Sequence, residues 1–144
     1  MDFGRGGVDV SGARVSVAQS RYLAKDNAKS LAADCILATP GSTGATGEYL
    51  RIWTESGRRV NDPEPNAVCF ISVNGSRAGA KPPPYDTIEH AARLGCTFLT
   101  DGYSRRPEGG NPYNVGEHKV ADFLRGLGFK EFPGPHPDTC HWSR

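Results

Sequence analysis

The sequence predicts an α/β domain: a small Rossmann-like, three-layer fold around a mainly parallel sheet. Two observations carry this. Three short runs, "CILAT" (35–39), "AVCFISV" (67–73) and "CTFLT" (96–100), are apolar without polar alternation, as strands buried on both faces are. Segments with helical spacing lie between them, and alternation of strand and helix builds parallel sheets with helical crossovers.

The elements follow in order. The Gly-rich start, residues 1–14, has no period and reads as a flexible lead-in. From Val15 to Ala33 the apolar positions Val17, Tyr22, Leu23, Ala28, Leu31 and Ala32 recur with no Gly or Pro between them, which predicts a helix. After the first strand a helix is expected from about Gly47 to Ser56, ended by Gly57. Residues 58–60 read as a short strand and 67–73 as the second buried one. A helix over 85–94 then leads through Gly95 to the third strand, 96–100. "VGEHKVADFLRGLG" (115–128) places Val120, Phe123, Leu124 and Leu127 on one helical face, and "FKEF" reads as a last edge strand. The α/β domain is thus expected over 15–132, with 133–144 as an irregular tail.

Bulk properties narrow the function. A chain of 144 residues suits one domain with a real core. Its formal net charge of +1 argues against a protein devoted to nucleic-acid backbone. No window approaches eighteen consecutive apolar residues and no signal-peptide core precedes the domain, so no membrane partner and a cytoplasmic location are expected. Cys35, Cys69 and Cys96 sit inside apolar runs and Cys140 in the tail, with no Cys-x-x-Cys pair; reduced thiols acting as small hydrophobes are expected.

Parallel sheets bind ligands beyond the carboxyl ends of their strands. That rule selects the loops 39–47, 74–84 and 101–113, which are rich in glycine and proline and carry Arg77, Lys81, Arg105 and Arg106. Glycine lets backbone N–H groups approach an anion, and guanidinium groups grip phosphate oxygens. The first of these loops, "TPGSTGATG", is not a Walker loop, because no Lys-Ser/Thr follows its glycines. Its Gly41, Gly44 and Gly47 are spaced like a dinucleotide fingerprint, but Asn74, not an acid, ends the next strand where a ribose would be held. No cofactor is therefore expected.

"ADCILATPGSTGATGE" (33–48) resembles the signature of the SLOG-type Rossmannoid proteins, which include the lysine-decarboxylase-like phosphoribohydrolases. Their motif runs Ala-Asp, an apolar run, then Pro-Gly-Gly-x-Gly-Thr-x-x-Glu. Ala33, Asp34, Pro40, Gly41, Gly44 and Glu48 fall in register, whereas Ser42 and Ala45 replace a Gly and the Thr. The resemblance spans residues 25 to about 100, and about thirty residues precede the motif, fewer than in that family. It implies a nucleotide or other phosphorylated small molecule as ligand, and a homodimer that shares its sites.

In this setting the loop backbone at Gly41 and Gly44, with the hydroxyls of Ser42, Thr43 and Thr46, would meet a phosphate at a helix N-terminus. Asn74, Arg77, Arg105 and Arg106 would complete the cradle. The resemblance implies that Glu48 acts at the ribose–base bond of a nucleotide; a first-turn acid complementing the helix dipole is the alternative. The family pairs that glutamate with an arginine, and the corresponding position here is Lys25, which keeps the charge and loses the fork. Two functions are therefore expected from this site, cleavage of an N-glycosidic bond or non-catalytic binding that sequesters a nucleotide signal or docks on a protein partner.

Asp101 ends a strand where a catalytic acid is commonly placed, and Glu117 with His118 begins the last helix. In the tail, His136, Asp138, Cys140 and His141 are metal-ligand residue types without a structural-zinc spacing, so no metal site is assigned.

Overall fold

A computed structural model describes residues 32–73, 81–101, 115–135 and 139–144. Residues 15–31 of the expected helix over 15–33, Lys25, Asn74, Arg77, Arg105, Arg106, His136 and Asp138 lie outside them, as do residues 1–14; Ala32 and Ala33 are described and are not helical.

The three apolar runs are strands: β1 (Cys35–Leu37), β3 (Val68–Ile71) and β4 (Thr97–Asp101). Between β1 and β3 come helix α1 (Gly44–Glu55) and the two-residue strand β2 (Arg59–Val60). Helix α2 (Tyr85–Arg93) joins β3 to β4. Helix α3 (Val115–Gly126) precedes β5 (Lys130–Pro133) and β6 (Thr139–Ser143). The six strands form one sheet in the order β2-β1-β3-β4-β6-β5. β1 pairs in parallel with β2 and β3, and β3 with β4, whereas β6 runs antiparallel to both β4 and β5. The sheet is mainly parallel and helices cover both faces, as expected of a small α/β domain.

Side-chain alternation along the strands decides the layers. Cys35, Leu37, Cys69, Ile71 and Phe98 point to one face, where Ile88, Ala91 and Ala92 of α2 and Val120, Ala121 and Leu124 of α3 cover them. Ile36, Phe70 and Leu99 point to the other face, against Tyr49, Ile52 and Trp53 of α1. Arg144 binds the two helices of the first face together, donating to the Ala92 carbonyl of α2 and to the Leu127 carbonyl just past α3. Cations are favoured at such helix ends, where carbonyls lack partners. Among the described residues no helix is long and apolar enough to cross a membrane.

Two expectations are corrected. The stretch 133–144, expected to be irregular, contains β6, whose Cys140 and Trp142 are fully buried in the core of the α2–α3 face. Trp142 Nε1 also donates to Thr100 Oγ1 at 2.8 Å. Strand β6 inserts between β4 and the edge strand β5, so a tertiary pairing, not local propensity, orders this segment. Helix α1 starts three residues earlier than expected, because Gly44 and Gly47 belong to its first turn.

All four cysteines are free and buried. Cys35 and Cys69 lie opposite each other on β1 and β3. Within this pair the Cys35 thiol is lowered to about 7, first by its hydrogen bond with Cys69, while the Cys69 thiol is pushed far above its ordinary value of 9.0, first by that same bond and then by burial. An unfolded chain loses that proton near its ordinary value while the folded chain keeps it. The Cys35 shift therefore adds stability as pH rises from about 7 to about 9 and the Cys69 shift removes it above about 9, each by about 1.4 kcal/mol per pH unit for one proton. Denaturation profiles from about pH 8 to about pH 10 are expected to be flatter for Cys35→Ala/Cys69→Ala than for wild type; parallel profiles would refute this.

Candidate functional site

The polypeptide leaves β1 at Ala38 and must turn sharply to start α1. Asn61, which follows β2 with φ of 53°, makes this turn rigid. Its side-chain amide accepts from Ala38 N at 2.9 Å and donates to Ala38 O at 2.8 Å, while its own N–H donates to Ile36 O at 2.8 Å. One amide side chain thus imitates a further rung of sheet beyond the last residue of β2. Asn tolerates the left-handed backbone this requires better than other side chains do.

The loop then closes on itself. Both the amide and the hydroxyl of Ser42 donate to Thr39 O, at 3.2 and 2.6 Å. The Thr39 hydroxyl donates to Pro82 O, tying the loop after β1 to the segment that enters α2. Thr46 is buried, and its hydroxyl shares a 3.0 Å hydrogen bond with Ser72 Oγ just past β3. Ser42 and Thr46, expected to offer hydroxyl donors to a ligand, are instead spent on the loop and on its junction with β3. Thr43 caps α1 in an extended conformation without a side-chain capping bond. The first N–H groups of a helix lack intrahelical acceptors, and in α1 the bonding begins with Gly47 N donating to Thr43 O at 3.3 Å.

Gly41 takes a φ of 81°, a conformation costly for any residue with a Cβ. A Cβ placed there would lie 3.7 Å from Lys81 Cε and 4.0 Å from Lys81 Nζ. The ammonium of Lys81 therefore sits directly over the glycine loop. The basic group beside this loop thus comes from the segment before α2, not from the loop's own sequence. Sequence reasoning counted Lys81 among the basic loop residues but did not place it against Gly41; only the fold brings residues 41 and 81 together.

Strand order makes this edge of the sheet the candidate place for a ligand. Residues leaving β1 go to α1 on one face, and residues leaving β3 go to α2 on the other. The two neighbouring strands thus send their chains in opposite directions, opening a crevice at the carboxyl edge; this is the topological switch point of a doubly wound sheet. A pocket of about 280 Å³ lies there, lined by Thr39, Pro40, Pro82, Pro83, Pro84, Tyr85, Asp86 and Thr87. Four of these eight residues are prolines, whose backbone holds its shape because φ is fixed.

Glu48 lies in the second turn of α1, and no acid occupies the first. The expected first-turn role in the helix dipole is thereby corrected: with the helix beginning at Gly44, Glu48 is too far along. Its Oε2 is 2.8 Å from Arg51 Nη2, and Arg51 Nη1 reaches Glu55 Oε1 at 3.1 Å, a chain of ion pairs on the partly exposed side of α1. Asp101 ends β4, opposite Thr139 of β6, and β3 separates its strand from β1. The structure thus brings Lys81 against Gly41, places Thr43 and Gly44 at the start of α1, and leaves Glu48 one turn down that helix. Among the described residues no group of three His, Cys, Asp or Glu side chains is placed to hold a metal ion. The chain matches no protein-family model, no curated protein and no solved structure.

Proposed function

We propose that this chain binds a nucleotide or a related small phosphorylated molecule at the crevice between β1 and β3. One observation carries the reading: the Lys81 ammonium lies against Gly41 in the loop from β1 to α1, next to a pocket lined by Thr39 and Pro40 of that loop. An ammonium, a glycine backbone that an anion can approach closely, and the positive end of a helix are the three elements of a phosphate cradle.

Two outcomes of binding are distinguished by Glu48. N-glycosidic hydrolysis would use its carboxylate to stabilise positive charge on the ribose or to activate water. The ion pair to Arg51 favours the other outcome, a binding module that sequesters its ligand, because that carboxylate already has a cationic partner on its own helix.

Thermal unfolding with nucleoside mono-, di- and triphosphates tests both. A ligand at a hundredfold excess over its Kd stabilises the fold by about 2.7 kcal/mol. Lys81→Ala is expected to weaken binding about tenfold, the scale of one charge-assisted hydrogen bond. Absence of any stabilisation by phosphorylated compounds would sink the proposal. Base release measured chromatographically, lost in Glu48→Gln, would select the hydrolase; stabilisation without release selects the module.

A further inference from the structure

The strand pairings set one row of side chains across the whole sheet: Val60, Ile36, Phe70, Leu99, His141 and Phe132 stand opposite one another in turn. Directly opposed residues project to the same face, so the entire row lies on the α1 side. Its burial changes along its length. Ile36, Phe70 and Leu99 are at most 3 % exposed beneath Tyr49, Ile52 and Trp53 of α1. His141 is half-buried, and Phe132 at the far end is 45 % exposed. Among the described residues, α2 and α3 cover the opposite face and only α1 covers this one. The strip left over, on β6 and β5, is two strands or about 10 Å wide, which is the spacing of packed helices.

The rest of the chain offers one segment for this strip. Residues 74–80 and 102–114 lead from β3 and β4 to α2 and α3, both on the opposite face, and 136–138 join β5 to β6. Residues 1–31 are the longest stretch outside the described residues. They end beside Ala33, which is 4 % exposed and packs in the core of the α1 face. The segment thus reaches β1 on the side where the strip lies. Within it Val17, Ala24, Ala28 and Leu31 follow at steps of seven, four and three residues, which sets them on one stripe of a helix. Residues 15–31 span about 25 Å as a helix, enough to run the length of a strand such as β6. A lone helix of this length is marginal in water, so its apolar stripe needs a surface to be stable.

We infer that residues 15–31 form a helix that docks this stripe on the strip of His141 and Phe132, beside α1, and completes the second helical layer. The inference is independent of the ligand site.

Hydrogen exchange of the full chain, read by mass spectrometry, tests it. In wild type the amides of 15–31 are expected to exchange about a hundredfold more slowly than in an unstructured chain. Phe132→Glu should cut that protection at least about tenfold, because it sets a charge beneath the helix. Leu31→Glu should do the same from the helix side. Protection of β1, β3 and β4 in the same data reports that each variant is folded. Should Phe132→Glu unfold the sheet, Phe132→Ser gives the milder comparison. Unprotected amides over 15–31 in wild type overturn the inference. Protection that both Phe132 substitutions leave unchanged also overturns it, because the helix then docks elsewhere. A sedimentation mass of a dimer that Phe132→Glu returns to a monomer, with 15–31 unprotected, assigns the strip to a second copy and overturns it too.

Discussion

Trp142→Ala is expected to destabilise the protein by about 3–5 kcal/mol, the range for deleting a large buried aromatic side chain. Trp142 is fully buried on β6 and packs in the core formed with α2 and α3. The substitution leaves a cavity in a close-packed interior and removes the donor that satisfies Thr100 Oγ1. Trp142→Phe separates these effects: most of the volume is kept, the hydrogen bond is lost, and a smaller cost of about 1–3 kcal/mol follows. Both values are read from urea or guanidinium unfolding with unchanged m-values. A cost below about 1 kcal/mol for Trp142→Ala would mean that β6 is not docked between β4 and β5.

The second large effect is expected at Gly47. A Cβ on this residue would lie 2.6 Å from the Ser42 carbonyl oxygen and 3.3 Å from its carbon. Neither atom can step aside cheaply, because Ser42 is fixed by its two hydrogen bonds to Thr39 O. Gly47→Ala must therefore displace either the loop or the first turn of α1, at a cost of about 2–3 kcal/mol, although alanine is the better helix former. The displacement also moves the backbone donors and Gly41 relative to Lys81, so ligand-induced stabilisation should fall together with stability. Gly57→Ala provides the contrast. Its Cβ would meet nothing within 4 Å, and only the positive φ of 74° opposes it, so its cost is expected to be about 1–2 kcal/mol with ligand binding intact. Equal effects of the two substitutions on binding would refute the close approach at Gly47.

Much of the fold is legible in particular residues. Cys35–Leu37, Val68–Ile71 and Thr97–Asp101 read as strands because a sheet covered on both faces leaves no polar position along its centre. Helix ends at Gly57 and Gly95 are legible because each adopts the positive φ that glycine supplies. Strand β6 was less so. "TCHWS" does alternate, with Cys140 and Trp142 facing the core, but it is short and follows a Pro-Gly-Pro-His-Pro stretch that reads as irregular. Its pairing partners, Phe98 to Asp101 on one side and Lys130 to Pro133 on the other, supply the order.

The site divides in the same way. Residues 39–47 are marked as a ligand loop by composition and by position after a buried strand, and both signals are local. The sequence does not say which hydroxyls the loop consumes, because Ser42 bonds to a carbonyl three residues back and Thr46 to a residue 26 positions away. Nor does it pair Gly41 with Lys81, or put Asp86 in one pocket with Thr39 and Pro40, since both depend on β1 and β3 lying side by side.

What the sequence alone determined is the class of fold and the identity of the glycine loop, because hydrophobic period and turn chemistry act over a few residues. Only the tertiary structure decided the partners: Arg51 for Glu48, Ser72 for Thr46, Lys81 for Gly41 and Thr100 for Trp142. The reason is physical. Charge and hydrogen-bonding capacity are fixed by residue type, but whether a group faces a ligand or is spent inside the fold depends on which strands become neighbours.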